Sequence, residues 1–312
     1  MFQGRGRRRH YFEGWYFKLI DKARQNVLAV IPGISMGTSR QDSHAFIQRI
    51  DAVRATTAYY RFPFDSFYSD PKRFLVRIND NIFSDTRLQI DLGSDELRAD
   101  IHFENVVKFP KTFFSPGIMG PFSFVPGMEC YHGIVNMSHT IRGKMTVSGQ
   151  NIDMDGGEGY IEKDWGRSFP DSWIWLQANH FEESGVSFMF SIARIPWLGR
   201  SFTGLISFLM TPTGFYRFAT YNRSHITHIS LNGDMLQVRM QNPKNMIEFN
   251  ARYAKGGILR APMNGLMQRD IEESITAQVE LTLFSGNEVI YKGTSDRAGM
   301  EIAGNMGDIL PV

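Results

Sequence analysis

An all-β fold of two tandem antiparallel β-barrels with little helix is what this sequence predicts, on three observations. Short apolar or alternating runs, broken by Gly, Pro, Asn and Asp, recur along nearly all of the 312 residues, which is how antiparallel sheets read. Almost no segment carries the 3.6-residue apolar period of a helix. The runs are also too numerous for one ordinary sheet, so two barrels divide them, residues 1–156 and 157–312, with the Gly-rich stretch at 155–159 as the joint.

Taken in order, the first half supplies strands at 11–20, 27–34, 44–52, 56–62, 73–78, 87–91, 97–107, 130–141 and 144–148. The second supplies 158–165, 173–183, 186–195, 203–210, 214–221, 225–231, 234–240, 246–254, 274–284 and 288–294, with Asn232-Gly233 as a hairpin signal. A turn or a helical turn is expected within 65–73, and one short helix within 260–272. Residues 113–128 hold no charged side chain, and Pro116, Pro121 and Pro126 exclude a helix or a central strand. They predict an irregular apolar loop: a connector on the core, a flap over a pocket, or a tip that dips into lipid.

Composition narrows the function. A hydrophobic fraction of 42% supports a sizeable core and argues against disorder. A net charge of +2 is too small to mark a nucleic-acid binder. The one local excess, Arg5 and Arg7 to Arg9, suits either an anionic lipid surface or a frayed, solvated terminus. Cys130 stands alone, which permits no internal disulfide and fits a reducing compartment. No apolar stretch follows the arginines as a secretory signal would require, and none approaches the ~18 residues of a membrane span. A cytoplasmic protein is expected, with membrane association at a surface as the alternative.

Strand parity then sorts the chemistry. In 158–165, Glu158, Tyr160, Glu162 and Asp164 share one face. Carboxylates that crowd one strand face repel, and in an apolar cavity one of them would hold its proton, as general acid catalysis requires. The plainer reading is a solvated face. In 173–181, Trp173, Trp175, Gln177, Asn179 and Phe181 share a face opposite Ile174, Leu176 and Ala178. The aliphatic face reads as core, and the aromatic–amide face as a cavity wall or a stiffening ladder. In 11–18, Glu13 sits among rings and must be paired or protonated. Trp15 and Tyr16 are either ligand contacts or a barrel plug. Glu129 with His132 is a candidate acid/base pair, and Asp42 could orient His44. No His pair has metal-ligand parity, and no phosphate loop, GxSxG or Cys-x-x-Cys is present, so no metal and no cofactor are expected.

These residues carry a family resemblance. Phe12-Glu13-Gly14-Trp15-Tyr16-Phe17-Lys18 resembles the opening signature of the tocopherol cyclase family, and Asp42-Ser43-His44 with Phe46 a second element. Glu162-Lys163-Asp164-Trp165-Gly166, Phe169-Pro170 and Trp173-x-Trp175-x-Gln177-x-Asn179 resemble its central signature. Leu259-Arg260-Ala261-Pro262, Arg269-Asp270 and Glu301-Ile302-x-Gly304 resemble its C-terminal elements. Asp164 where the plant signature has Asn, His180 for an apolar residue, a shorter first half and the Met128–His132 section resemble a bacterial-type branch. The resemblance implies two lipocalin-like barrels and a cofactor-free closure of a chromanol ring, in which a phenol oxygen adds across a prenyl double bond. Its expected ligand is hydrophobic, a prenylated quinol or another isoprenoid. On that reading Glu162 or Asp164 protonates the alkene, and Trp165, Trp173 and Trp175 shield the cation. Gln177 and Asn179 orient the hydroxyl, and Glu13 or His44 relays protons. A non-catalytic lipocalin-like carrier of a hydrophobic ligand and a scaffold with a filled pocket are the alternatives.

Overall fold

The computed structural model describes residues 1–93, 95–197 and 199–310. The first sheet draws on β1 (Tyr11–Ile20), β2 (Val27–Met36), β3 (His44–Asp51), β4 (Thr56–Pro63), β5 (Phe67–Ser69) and β6 (Leu75–Ile78). It continues with β7 (Asn81–Ser84), β8 (Arg87–Asp91), β9 (Leu97–Val107), β10 (Cys130–Val147), β11 (Gln150–Asp153) and β12 (Gly157–Gly166). Its order is β4-β3-β2-β1-β12-β10-β9-β8-β7-β6-β5, with β11 on β10. The second sheet begins with β13 (Trp173–Ala178), β14 (Ser187–Trp197), β15 (Arg200–Thr211), β16 (Gly214–Ala219) and β17 (His225–Asn232). It ends with β18 (Met235–Gln241), β19 (Asn245–Arg252), β20 (Gly257–Met263), β21 (Leu266–Ser285) and β22 (Glu288–Ala303). Its order is β16-β15-β14-β13-β22-β21-β19-β18-β17, with β20 on β21. The fold is two antiparallel barrels, as the alternating runs predict, and lipocalin-like, as the family resemblance implies.

The chain forms two compact units. Unit 1 comprises residues 1–110, 130–169 and 259–270, and unit 2 comprises 111–129, 170–258 and 271–312. The boundary therefore differs from the one expected at 156/157. Residues 157–166 pair on both sides within the first sheet, against β1 and β10, so the Gly-rich joint is a hairpin turn inside unit 1. The helix expected in 260–272 is a β-hairpin. Pro262 breaks helical hydrogen bonding there, and Asn264-Gly265 turns the chain with positive φ at both residues. This hairpin tip is stitched into unit 1, where Gln48 accepts from the Arg260 N–H and donates to the Arg260 carbonyl. Gly143, at φ +125°, lies flat against the Asp100 carbonyl and lets 130–147 run as one strand rather than two.

Each unit encloses its own apolar core. In unit 1, Trp15, Phe17, Leu19, Val30, Ile47, Phe83, Ile101 and Ile161 meet inside. In unit 2, Ile174, Leu176, Phe188, Phe190, Val238, Phe249 and Leu281 do the same. The aliphatic face of β13 is thus core, as its parity required. Residues 111–129 form the expected irregular loop and contain one 3-10 segment, Gly120–Phe124. Among the described residues no helix is long and apolar enough to cross a membrane, which says nothing about strands.

Candidate functional site

The site lies on β12 and β10, on the side of the sheet away from the unit 1 core. Ile161 points inward, so its neighbours Tyr160 and Glu162, and Asp164 beyond, point the other way. His132 is directly opposite Asp164 in the antiparallel register. An irregularity in β10 just beyond Ile134 shifts the register there, and such bulges re-aim side chains.

The resulting geometry is a line of four polar groups. His132 Nδ1 lies 2.8 Å from Asp164 Oδ1, and His132 Nε2 lies 3.4 Å from Glu162 Oε2. The Tyr160 hydroxyl donates to Glu162 Oε2 at 2.6 Å. Cys130 Sγ stands 4.0 Å from Asp164 Oδ1. The Glu162 side chain is 5% exposed and that of Asp164 is 23% exposed, so the line meets solvent at its Asp164 end. Burial pulls the His132 pKa down, but the Asp164 and Glu162 charges and their hydrogen bonds outweigh it and hold it well above 6.5. Burial and the Glu162 charge push the Tyr160 phenol far up, so it remains a donor. The group can store a proton on a ring held between two carboxylates. The three donor atoms of His132, Glu162 and Asp164 also lie within 4.8 Å of one another and could hold a divalent cation. Sequence parity gave no sign of this, because the donors come from two strands.

Gly14 is opposite Asp164 on β1, and Gly33 is opposite Gly14 on β2. The Phe46 ring lies over this bare backbone: a Cβ on Gly33 would come 2.3 Å from the ring and 2.7 Å from the Glu13 carbonyl. Gly33 therefore makes room for the ring, whereas a Cβ on Gly14 of the first motif would meet it at an ordinary 3.7 Å.

Glu13 belongs to a different cluster. It is fully buried on the core side of β1, in an ion pair with Lys163 Nζ at 2.7 Å. It also accepts from the Gln3 N–H at 2.8 Å and from the Tyr11 hydroxyl. Lys163 Nζ lies 4.3 Å from the Trp165 ring centre and donates to the Met1 carbonyl. Tyr131 stacks on Trp165 at 5.5 Å. Glu13 is therefore paired, and the sheet separates it from the acid line, so the expected relay role is corrected. Trp15 is wholly buried, stacked on Phe67 and Phe74, with no hydrogen-bond partner for Nε1. It fills the barrel. Tyr16, opposite Glu162, is buried on the acid-line face.

His44 shares that outer face but stands on β3, three strand steps from β12, or ~14 Å at ~4.8 Å per step. It is positioned by the Asp42 backbone carbonyl rather than the carboxylate, which binds Ser39. Its Nε2 is 2.6 Å from the Tyr59 hydroxyl, and burial lowers its pKa. A direct relay to Glu162 is ruled out by that distance. Glu129 is half-buried just ahead of β10, and Asp164 and Glu162 are carboxylates that engage His132.

In unit 2, Trp173, Trp175 and Gln177 are buried on the face of β13 opposite the core, and the buried Asn179 lies just past the strand; the strand ends at Ala178, short of the expected 183, and Phe181 joins the core instead of this face. Trp173 Nε1 donates to Glu301 Oε2 at 2.6 Å, and Gln177 Nε2 donates to Asn179 Oδ1 at 3.2 Å. Glu301 is opposite both Trp175 and the buried Glu273. Two carboxylates on adjacent strands therefore border the aromatic row. Parity had already put Tyr160 on the acid face, but its bond to Glu162 was not foreseen. Sequence reasoning missed Glu273 and Glu301 as parts of the aromatic face, because they needed the β21–β22 register.

Comparison with known proteins agrees with this architecture. Residues 85–304 match the family described as tocopherol cyclase-like. The chloroplastic tocopherol cyclase of Zea mays is 26% identical over 196 residues, covering 57% of this chain and 40% of that protein. The chain thus spans less than half the length of that relative. Among solved structures, CghA with Sch210972 superposes with a TM-score of 0.60 at 9% identity, over 95% of this chain and 89% of that one. A putative AttH from Nitrosomonas europaea gives 0.56 at 12% identity, over 93% and 91%. At such identities the likeness concerns the fold.

Proposed function

We propose, from the premise that this chain belongs to the tocopherol cyclase-like family, that it is an acid-catalysed cyclase or hydratase of a prenylated or other isoprenoid lipid. The observation that carries the proposal is the His132 ring between Asp164 and Glu162, with Tyr160 behind Glu162. Such a line shares a proton among several groups, so its titration belongs to the group as a whole. Glu162 and Asp164 lie in the segment that resembles the family's central signature, with Asp164 where the plant signature has Asn. The tocopherol cyclase of Zea mays and the common fold support the reaction class.

In the proposed reaction the line delivers its shared proton to one alkene carbon. The cation character that develops on the other carbon is stabilised by the negative carboxylates. A phenol oxygen of the same molecule, or a water, forms the new C–O bond, and its proton returns to the line. The proton count is unchanged, and so is the oxidation state.

Incubation of the protein with a prenylated hydroquinone, followed by chromatography and mass spectrometry, tests the proposal. Cyclisation keeps the mass and shifts retention, and hydration adds one water. Unchanged substrate that nonetheless co-elutes with the protein would identify a carrier. Glu162→Gln should lower turnover by ~10²–10⁴, the usual worth of a general acid. Turnover of that variant at the wild-type rate, with ligand bound, would remove Glu162 from the reaction.

A further inference from the structure

We infer that the turn at Thr112–Ser115 is a membrane-docking tip, which seats Phe113 and Phe114 in the interfacial layer of an anionic lipid bilayer. The two rings are 86% and 77% exposed. Single exposed apolar residues are ordinary, but two adjacent aromatic rings left in water call for a partner. The rings meet edge to face at 5.2 Å and 89°, so they project as one unit.

The tip is held out by a rigid frame. The Thr112 N–H donates to the Ser115 carbonyl at 3.0 Å, and the Ser115 N–H donates to the Thr112 carbonyl at 3.1 Å. This reciprocal pair closes a tight turn with the two Phe at its apex. Behind it, Ser115 Oγ accepts from Arg217 at 2.8 Å, and the Ile118 carbonyl accepts from the Tyr221 hydroxyl at 2.7 Å. Ile118 and Met119 are buried, and Gly120 at φ +55° lies flat on the Tyr221 ring. A base fixed this way prevents the rings from folding back onto unit 2.

Shape and charge favour lipid over protein. Protein hot spots lie in well-packed pockets or flat patches ringed by polar groups, whereas this tip is convex. Aromatic side chains are suited to the depth of the headgroups. Between Glu104 and Glu129 the chain has no acid, and its only charges are Lys108 and Lys111. Lys108 is committed to Asp85 and Asn136, while Lys111 is exposed next to the turn, where it can meet an anionic headgroup. The inference does not rest on the proposed reaction.

The test is co-sedimentation of the full chain with phosphatidylcholine vesicles, with and without phosphatidylserine. The wild-type protein should bind, more tightly with phosphatidylserine and less at high salt. Phe113→Ser with Phe114→Ser should reduce partitioning by roughly tenfold or more, because each ring withdraws apolar surface from water. Lys111→Glu should weaken binding to the anionic vesicles only. All three positions are exposed, so unchanged circular dichroism and melting are expected for the variants. In Phe114→Trp, the added indole should shift its emission to the blue on vesicles. The inference is overturned if wild-type protein stays in the supernatant, or if the double variant binds as wild type. Self-association in ultracentrifugation that the double variant abolishes, without vesicle binding, would assign the tip to a protein contact and overturn it equally.

Discussion

Lys163→Met isolates the ion pair inside the first barrel, and the structure sets its size. The Glu13 and Lys163 side chains are 0% and 8% exposed, so solvent screening is minimal. Removing one partner of a buried pair leaves the other charge uncompensated, at a cost of about 3–5 kcal/mol. Glu13 would keep the Gln3 N–H and the Tyr11 hydroxyl as donors, which places the cost near the lower bound, ~3 kcal/mol. Loss of the cation over the Trp165 ring adds about 0.5–2 kcal/mol. Glu13→Gln should cost a similar amount, since the buried Lys163 charge loses its carboxylate and is left facing groups such as the Met1 carbonyl and the Trp15 and Trp165 rings. The double variant removes both charges and should cost far less than the sum, with a coupling energy of about 3 kcal/mol. Urea unfolding followed by tryptophan emission reads this out. At a slope of ~2 kcal/mol/M the single variants lose ~1.5 M in midpoint. Additive costs, or a loss below ~1 kcal/mol in Lys163→Met, would refute the argument that the pair is buried and mutually dependent.

Further expectations concern protonation and packing. His139 is buried against Phe103, at 4.1 Å between ring centres, and burial, then the Lys108 charge, lowers its pKa to about 3. The unfolded chain takes up that proton below ~6.5, so this contribution to stability is present above ~6.5 and falls by about 1.4 kcal/mol per pH unit as pH drops toward 3. His139→Leu should remove that part of the slope in urea midpoints measured across pH. His132 has the opposite sign: its raised pKa gives stability that is present below ~6.5 and lost as pH rises through the folded value. Asp164→Asn should lower that pKa, as followed by the ring resonances in NMR, and no change would show that Asp164 does not hold the proton on the ring. Gly33→Ala should destabilise by roughly 1–3 kcal/mol through overpacking. Adding Phe46→Ala should not rescue it, because the Glu13 carbonyl remains 2.7 Å from the new methyl; a full rescue in thermal melts would contradict this.

Much of the fold was legible because alternation is a local signal. The strands at 11–20, 87–91 and 97–107 coincide with those predicted from the residues alone. The aliphatic face of β13 fell to the core by parity. The errors have local causes too. Residues 260–272 lack strong alternation, and their extended form follows from the turn at Asn264-Gly265 and from pairing with Gln48, which is distant in sequence. The candidate site was legible only one strand at a time. Parity put Glu162 and Asp164 together, but nothing in one sequence gives the β10–β12 register that sets His132 opposite Asp164. The same is true of Glu13, whose partner lies 150 residues away. An acid among rings had to be paired or protonated, and only the closure of β1 on β12 decides which.

The central claim is that the His132–Glu162–Asp164 line moves a proton to and from an alkene. A single-turnover incubation with a prenylated hydroquinone, resolved by chromatography and mass spectrometry, tests it most directly when wild type is run beside Glu162→Gln and Asp164→Asn. The wild type should give a product of unchanged or one-water-greater mass, and the variants should lose ~10²–10⁴ in rate with binding retained. Wild-type protein that only returns unaltered substrate, or variants that turn over at the wild-type rate, would contradict it.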